Sequence, residues 1–476
     1  MKVRTRFAPS PTGFMHVGNL RTAIFEYLLA AHSGGKFILR IEDTDQARRV
    51  DGAIDFIYDT LKLCNINIDE GPNNEGDFGP YIQSQRLHLY EEYAQKLIEN
   101  NHAYYCFCSE ERLNNLREKC EKEHPTFMYD GHCKKLTSKE IAEKINNGEK
   151  PVIRQAMPKE GQSIYNDFVY GQIKVDNNIL EDQILLKSDG YPTYNFANVV
   201  DDHLMNITHV IRGNEYLMST AKYNLLYDAF GWDRPEYIHV SMVLGSDGQK
   251  LSKRNGDASF IDLYNEGYLP SAIVNYLVML GWSPASNEEI FTIEELIKQF
   301  DPKRINKSAS TFDIKKLNWY NAIYLKKMPL NDFVKLVKPF LEANYDLSNK
   351  DEEWIKELLT IYQNHISYGK EIIEVTELFF KENIVINEEN KEFMESDPLI
   401  SEVLRCFKKE LEALSTWTIE SISTAINNTK ETSSAKGKIL FMPIRIAISG
   451  QMHGPELPNT IHLLGKDLVL KRLANQ

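Results

Sequence analysis

The N-terminal part of the chain alternates between short apolar runs and segments with helical periodicity. Apolar and polar side chains alternate over residues 3–7, which predicts a strand. Residues 18–33 then carry apolar side chains at helical spacing, at Leu20, Ile24, Leu28 and Ala31. Gly34 and Gly35 end this predicted helix, because glycine adopts the left-handed cap conformation at little cost. The nearly continuous apolar run in KFILRIED, residues 36–43, is typical of a parallel strand covered on both faces. A further helix is predicted from Asp51, whose carboxylate can cap it, and this order of elements predicts a nucleotide-binding α/β fold.

The pattern changes twice further along the chain. Residues 106–185 show mixed short elements with a charged helix over 110–122, which predicts an inserted module. Parallel-strand character returns in HVIRGNEYL and EYIHVSMVLG, so the insertion divides the α/β fold into two halves. From residue 330 onward amphipathic helices dominate, as in NDFVKLVKPFLEAN. The segment KGKILFMPIRIAISGQMHGPEL, residues 436–457, has the glycines and basic residues of a loop-rich junction.

Composition indicates a soluble protein of several domains. The 476 residues are 42% hydrophobic and 26% charged. The most apolar stretch, LPSAIVNYLVMLGWSP, is shorter than the roughly 20 apolar residues of a membrane span and predicts a buried core helix. The opening residues run directly into a predicted strand, without a secretory or transit segment. Six cysteines in so long a chain are typical of free thiols in a reducing cytosol. We therefore expect a cytoplasmic protein with no membrane partner.

The net charge of −13 counts against a nucleic-acid partner, because phosphate contacts require Lys and Arg. Residues 298–316 nevertheless contain six basic and two acidic side chains. This stretch is compatible either with a local patch that faces a nucleic acid or with an ordinary solvated surface.

Two glycine-containing loops carry the candidate chemistry. In TRFAPSPTGFMHVGNLR, residues 5–21, Pro9 and Pro11 stiffen the approach to a helix, Gly18 leaves room for a ligand, and His16 stands one residue before that helix. A helix N-terminus at the carboxyl edge of a parallel sheet can bind phosphate. A Walker loop and a dinucleotide dehydrogenase are disfavoured, because their glycine patterns are absent from this stretch. A lone histidine beside a glycine is more often structural.

The second loop is LGSDGQKLSKRNGDAS, residues 244–259. Lys250, Lys253 and Arg254 lie here without an apolar face to pack. Three such cations suit an anion whose charge grows during reaction, such as a leaving pyrophosphate. Alone, the loop could equally be a solvated basic turn. The two loops together strengthen the phosphate interpretation.

Both loops resemble the signatures of a known family. RFAPSPTGFMHVGN resembles the first motif of class I aminoacyl-tRNA synthetases, with His16-Val17-Gly18-Asn19 in the place of HIGH, and KLSKR resembles the KMSKS motif. RIEDTDQAR, YPTYNFANVVDDHLMNITHVIRGNEYLMST and LPSAIVNYLVMLGWS resemble the bacterial glutamyl-tRNA synthetase family. The resemblance covers essentially the whole chain.

The resemblance implies an α/β class I fold with added domains. A Rossmann-type parallel-sheet catalytic domain would occupy residues 1–105 and 186–248, interrupted by an α+β acceptor-binding module over 106–185. The KMSKS loop and a stem-contact domain would follow over 249–329, which contains the basic stretch, and an all-α anticodon-binding region over 330–476. A monomer is implied.

The family reaction implies the substrates and the site. Glutamate and ATP, with Mg²⁺, would give glutamyl-adenylate and pyrophosphate, and glutamate would then pass to the 3′ end of tRNA(Glu). The implied catalytic residues are His16, Gly18, Lys250 and Lys253. The implied ATP-binding residues are Pro9, Ser10, His16, Gly18, Asn19, Lys250, Ser252, Lys253 and Arg254. The implied glutamate-binding residues are Arg6, Ala8, Ser10, Glu42, Tyr194, Asn198 and Arg212. Of these, the two arginines would read the side-chain carboxylate through forked donors, and Glu42 would receive the α-ammonium.

The resemblance also points to a zinc site in the inserted module. Cys106, Cys108 and Cys133 match three ligands found in some members. The family's fourth ligand is a histidine two residues after the third cysteine, where this chain has Lys135, which cannot bind zinc while protonated. His132 or Cys120 could replace it, and reduced structural cysteines are the alternative.

Several alternatives stay open or are disfavoured. The enzyme could charge tRNA(Gln) in addition to tRNA(Glu), or instead of it. The helical region over 330–476 argues against the shortened paralogue that modifies a base of tRNA(Asp), which lacks an anticodon-binding region. It equally argues against a small-molecule nucleotidyltransferase. A non-catalytic tRNA-binding relative is disfavoured because both signatures are present.

Overall fold

The computed structural model describes residues 2–13, 15–48, 50–123, 127–249, 251 and 259–474. The chain divides into two compact units, one comprising Met1–Asp262 and Val274–Asp313 and the other Leu263–Ile273 and Ile314–Gln476. None of the described helices is long and apolar enough to cross a membrane.

The first unit begins with the predicted order of strand, helix and strand. Strand β1 (Arg4–Phe7), helix α1 (Val17–His32) and strand β2 (Lys36–Leu39) are followed by α2 (Ala53–Leu63) and α3 (Leu87–Glu99). β1 and β2 pair in parallel, so the α/β prediction is confirmed for this segment. The prediction that Asp51 caps α2 is wrong. The cap residue is Gly52, which has a left-handed backbone and provides no side-chain hydrogen bond.

The segment predicted as an insertion contributes to two sheets. β3 (Ala103–Cys106), β4 (Val152–Gln155) and β7 (Ile184–Leu186) form an antiparallel sheet, with α4 (Glu110–Glu123) and α5 (Ser138–Asn146) between β3 and β4 in the chain. β5 (Gln162–Asp167) and β6 (Gly171–Asp176) form a hairpin. β5 also bonds in parallel to β9 (Glu236–Val240), which pairs with β8 (His209–Gly213), so the sheet order is β6-β5-β9-β8. The hairpin therefore extends the sheet that β8 and β9 form.

The remaining elements of this part of the chain follow in order. They are α6 (Tyr194–Leu204), α7 (Leu217–Phe230), β10 (Val243–Leu244), α8 (Phe260–Asn265), α9 (Pro270–Met279), α10 (Ile293–Gln299) and β11 (Ser310–Thr311). The most apolar stretch of the sequence forms α9, in which Ala272, Ile273 and Leu277 are fully buried. The prediction of a buried core helix is confirmed.

From Ile314 onward, the regular elements among the described residues of the second unit are all helices. Its elements are α11 (Ile314–Lys327), α12 (Leu330–Asn344), α13 (Glu352–Tyr362), α14 (Ile372–Thr376), α15 (Glu388–Glu395), α16 (Leu399–Glu412), α17 (Ile419–Ser433), α18 (Lys438–Ser449), α19 (Leu457–Leu464) and α20 (Lys466–Ala474). Phe333, Leu358 and Phe407 belong to its apolar core.

The loop-rich junction predicted over residues 436–457 is wrong for most of its length. Lys438–Ser449 is a helix with Pro443 inside it. Leu440, Ile444 and Ala447 are fully buried at helical spacing in the core of this unit. Burial of this apolar face stabilises the helix and offsets the loss of the backbone hydrogen bond that the proline cannot donate.

Candidate active site

A polar cavity of about 440 Å³ opens where β1, β8 and β9 end. The last residues of these strands, Phe7, Gly213 and Val240, all line it. This is the edge at which parallel sheets bind ligands. Ten predicted site residues line the cavity, namely Arg6, Ala8, Pro9, Ser10, His16, Gly18, Asn19, Glu42, Tyr194 and Arg212.

The turn after β1 places the N-terminus of helix α1 beside this cavity. His16 is the cap residue of α1, and its Nδ1 accepts a hydrogen bond from the Gly18 N–H at 3.2 Å. A Cβ at position 18 would lie 3.4 Å from the same Nδ1, so glycine keeps the imidazole close to the backbone. Because α1 begins at Val17, its first amides and its positive dipole end lie beside the cavity, as anion binding requires.

Arg212 is a buried cation that has no carboxylate partner among the described residues. Its Nε donates to His239 Nε2 at 3.2 Å and its Nη2 donates to Thr220 Oγ1 at 2.6 Å. The guanidinium carbon lies 4.7 Å from the centre of the Tyr223 ring. Within the described part of the chain, no Asp or Glu oxygen comes within ion-pair distance of Arg212. An anionic ligand group in the cavity would meet an uncompensated charge.

Arg6 has a different environment, because two carboxylates already contact it. Its Nε donates to Asp202 at 3.0 Å and its Nη1 donates to Glu26 at 3.3 Å. Although burial opposes the charge, Asp202 and Glu26 hold the pKa of Arg6 above its usual value. Its Nη2 makes no hydrogen bond to the described residues and remains available to a ligand.

Glu42 belongs to the same buried network of charges. Its Oε1 accepts from Arg40 at 3.0 Å, and Arg40 also donates to Asp202 at 2.7 Å. Burial raises the pKa of Glu42 to about 7, against the attraction of Arg40 and Arg6. Glu42 Oε2 accepts no hydrogen bond from the described residues, so this oxygen is available to a cation in the cavity.

The other predicted residues fall into three groups. Tyr194 lines the cavity at the start of α6, and its ring centre lies 5.7 Å from that of Tyr216. Asn198 is buried but does not line the cavity, and its Nδ2 makes no hydrogen bond within the described structure. The predicted loop residues lie outside the described residues, namely Lys250, Ser252, Lys253 and Arg254. Leu251 between them is described and lines the cavity.

Sequence reasoning missed two charged residues of α1 that line the cavity. Arg21 donates to the backbone oxygens of Ser241 and Leu280, and burial lowers its pKa to about 10. Glu26 contacts Arg6, and burial raises its pKa well above the usual value. Both lie in a helix whose side chains are mostly apolar. A charged side chain in such a helix is unusual, and the sequence alone could have marked both residues as candidates for a functional site.

Three cysteine thiols come together in the inserted segment. The sulfur atoms of Cys106, Cys108 and Cys133 lie within 4.8 Å of one another. The Tyr129 Oη lies 3.4 Å from Cys106 Sγ and 3.3 Å from Cys108 Sγ, within hydrogen-bond distance of both sulfur atoms.

The two residues that could replace the missing fourth ligand do not lie with these thiols in the structure. Among the described residues, the group of side chains close enough together to bind one metal ion contains neither His132 nor Cys120. Cys120 instead donates to the Met128 carbonyl at 3.7 Å, and His132 and Lys135 are exposed. Tyr129 was not considered in the sequence analysis, because a phenol is a much less common zinc ligand than thiolate or imidazole.

Two family models match the chain and together span nearly all of it. Residues 2–319 match the model described as tRNA synthetases class I (E and Q), catalytic domain. Residues 332–476 match the model described as anticodon binding domain.

Curated proteins and solved structures are similar over the full length. The glutamate–tRNA ligase of Clostridium novyi (strain NT) is 50% identical over 479 residues, covering 99% of this chain and 97% of the relative. That of Clostridium kluyveri is 49% identical with the same coverage. A crystal structure of a glutamate tRNA ligase from Elizabethkingia meningosepticum in complex with its amino acid has 34% identity and a TM-score of 0.87, covering 100% of this chain and 99% of that one. The glutamate-tRNA synthetase structure from Elizabethkingia anophelis has 34% identity and a TM-score of 0.89, with the same coverage.

Proposed function

The chain belongs to the class I tRNA synthetases of the E and Q type, and we propose that the cavity is where this glutamate–tRNA ligase activates its amino acid. The enzyme is an ATP-dependent aminoacyl-tRNA ligase with a class I catalytic fold and a helical anticodon-binding domain. The observation that carries the proposed site is the buried charge of Arg212, which has no carboxylate partner among the described residues, in the same cavity as a helix N-terminus.

The reaction requires positioning and charge stabilisation rather than a protein nucleophile. An oxygen of the glutamate α-carboxylate attacks the α-phosphorus of ATP, the bond from that phosphorus to the oxygen that bridges the α- and β-phosphates breaks, and pyrophosphate leaves. Mg²⁺ would neutralise part of the phosphate charge. A hydroxyl of the terminal tRNA ribose then attacks the acyl carbon and AMP leaves. His16 and the backbone amides at the start of α1 hold the phosphates on one side of the cavity. Lys250 and Lys253 contribute the cations that stabilise the departing pyrophosphate.

The two arginines have unequal shares in recognising glutamate. Arg212 supplies the uncompensated charge for the side-chain carboxylate, and Arg6 adds a donor through its free Nη2. Because Asp202 and Glu26 already neutralise Arg6, its contribution to charge recognition is the smaller one. Tyr194, Ala8 and Ser10 complete the wall around the substrate.

Glu42 receives the α-ammonium group of the substrate through its free Oε2, and this role predicts a pH dependence. An ammonium is bound by a carboxylate and not by a carboxylic acid, and burial raises the pKa of Glu42 to about 7. The charged groups around it are Arg40, Arg6 and Asp202. We expect the KM for glutamate to rise about tenfold per pH unit below pH 7 and to level off above it. Steady-state pyrophosphate exchange between pH 5.5 and 8.5 measures this.

The variant Glu42→Gln provides the control for this prediction. It should bind glutamate weakly at every pH and lose the break near pH 7, because the amide does not titrate. If the KM of Glu42→Gln for glutamate still changed with pH near pH 7, the titrating group would be a residue other than Glu42.

Zinc is proposed for the cysteine cluster. In a tetrahedral site with zinc–sulfur bonds of about 2.3 Å, the sulfur atoms lie about 3.8 Å apart. The observed separation of Cys108 Sγ and Cys133 Sγ is 3.6 Å, so these thiols fit such a site without rearrangement. Cys106 and the Tyr129 phenol oxygen supply the remaining donors. The bound ion would crosslink β3 to the segment that contains Cys133.

We therefore expect about one zinc per chain in protein purified without chelator, measured by elemental analysis. The variant Cys108→Ser should lose the metal, whereas Cys64→Ser should retain it, since Cys64 is buried elsewhere in the first unit. Metal-free wild-type protein that unfolds at the same temperature as the purified form would contradict the proposal.

Charging of purified transcripts tests the function as a whole. We propose a cytoplasmic monomer that transfers labelled glutamate, and not glutamine, to tRNA(Glu). Glutamate transferred to tRNA(Gln) as well would identify a non-discriminating enzyme, and transfer to tRNA(Gln) alone a specialised paralogue. A protein that charges neither transcript and catalyses no pyrophosphate exchange would contradict the proposed function.

A further inference from the structure

Arg212 donates hydrogen bonds to two neutral side chains in the cavity wall, and one of these side chains contacts a buried carboxylate. His239 and Thr220 accept its hydrogen bonds, and the Thr220 hydroxyl donates onward to the Tyr216 carbonyl at 2.8 Å. On its other side, the His239 ring contacts Asp167 through Nδ1 at 2.7 Å. Both His239 and Asp167 have fully buried side chains, and neither lines the cavity.

The protonation of His239 follows from the chemistry of its two neighbours. A guanidinium has only donors, so His239 Nε2 must accept from Arg212 and carries no proton. The ring proton of the neutral imidazole is then on Nδ1 and is donated to Asp167. A second proton on Nε2 would face the Arg212 N–H, and burial lowers the pKa of His239, both of which favour the neutral ring.

Asp167 is fixed by the backbone and therefore fixes the ring. Its Oδ1 accepts from the backbone N–H groups of Val169 and Tyr170 at 2.9 and 2.7 Å. Its Oδ2 accepts from the backbone N–H of His239 at 3.1 Å. The strands that carry the three groups are neighbours: β5 pairs with β9 next to Asp167, and β9 pairs with β8 so that Arg212 lies opposite His239.

The buried arginines Arg6 and Arg40 show the alternative arrangement. Each contacts carboxylate oxygens directly, so the protein itself neutralises its charge. At Arg212 a neutral imidazole stands between the guanidinium and Asp167. Hydrogen bonds therefore hold the Arg212 guanidinium in place, while its positive charge remains available to an anionic group of a ligand.

We propose that His239, oriented by Asp167, is a positioning residue that aims the Arg212 fork at the substrate's side-chain carboxylate and sets the preference for glutamate over glutamine. The inference rests on the proposed function, because it takes Arg212 as the group that reads glutamate. His239 itself does not contact the substrate.

The test compares His239→Ala and His239→Gln in the full-length enzyme by pyrophosphate exchange in the presence of tRNA(Glu). His239→Ala should raise the KM for glutamate about ten- to hundredfold, as expected when a hydrogen bond to a charged group is lost, with the KM for ATP nearly unchanged. Selectivity for glutamate over glutamine should fall by a similar factor. His239→Gln should restore part of both, because its amide can accept from Arg212 and donate to Asp167.

A second variant tests the orientation itself. Asp167→Asn replaces the acceptor with an amide whose N–H can face His239 Nδ1, which favours the tautomer with a proton on Nε2, directed at Arg212. The KM for glutamate should rise as in His239→Ala. In the double variant Asp167→Asn, His239→Ala the two effects should not add, because both act through the same ring.

The matched control is His209→Ala, which removes a partly buried imidazole at the other end of β8. The proposal is overturned if His239→Ala raises the KM for ATP and glutamate equally, or if its kinetics match those of His209→Ala. Should thermal unfolding show that His239→Ala does not fold, Asp167→Asn and His239→Gln decide in the same way. An Arg212→Ala enzyme with wild-type KM for glutamate would instead contradict the proposed function, whatever His239 does.

Discussion

Replacing Arg212 with alanine is expected to reduce kcat/KM for glutamate more than alanine at any other residue that is proposed to bind glutamate. The guanidinium is buried and has no carboxylate partner among the described residues, so the substrate carboxylate is its proposed counter-ion. Truncating one partner of a buried charge pair costs about 3 kcal/mol, which is roughly 150-fold. The loss should be in the KM for glutamate, measured by pyrophosphate exchange.

Two further variants make this result specific to the fork of Arg212. Arg212→Lys keeps the charge but cannot present two parallel donors, and it should recover only part of the lost affinity. Arg234→Ala removes an exposed arginine that forms an ion pair with Asp228, and it should leave both KM values unchanged. An equal loss for ATP and glutamate in Arg212→Ala would indicate that Arg212 supports the cavity rather than binding the amino acid.

The second large effect is expected at His16, in kcat rather than in KM. His16 caps α1 through its Nδ1 and lines the cavity where the phosphates are proposed to bind. An imidazole that stabilises charge developing on the phosphates acts mainly in the transition state. His16→Ala should therefore lower kcat for adenylate formation about 10²–10³-fold, in line with the loss of one such donor elsewhere. Single-turnover measurement of adenylate formation checks this.

The capping role of His16 has to be separated from its catalytic role. His16→Asn restores a side-chain acceptor for the helix amides, so it should recover the about 1 kcal/mol of stability that His16→Ala loses. It should not recover kcat, because the imidazole is still absent. If His16→Asn regained both, His16 would act only through the helix end.

Much of the local structure could be predicted from the sequence. The strand at Arg4–Phe7, the helix that begins after His16 and the buried helix Pro270–Met279 follow from side chains a few residues apart. The errors are local as well. Asp51 precedes a helix that Gly52 begins, and Pro443 lies in a helix because burial of neighbouring apolar side chains outweighs its lost hydrogen bond.

The electrostatics of the cavity could not be predicted in this way. The sequence and its resemblance placed Arg6 and Arg212 in one role, yet the structure gives them different partners. Arg6 meets Asp202 across 196 residues of chain, whereas Arg212 meets a histidine. The Tyr129 oxygen at the cysteine cluster was likewise invisible, because only folding brings it to Cys106 and Cys108.

The sequence by itself determined the family, many of the elements and ten of the residues that line the cavity, because these depend on contiguous motifs and short-range periodicity. Only the tertiary structure decided which charges are neutralised. Asp167 and His239 lie 72 residues apart, and their contact exists because β5 and β9 became neighbours in one sheet. The pairing of buried charges depends on which strands lie side by side, and packing of the whole sheet sets that order.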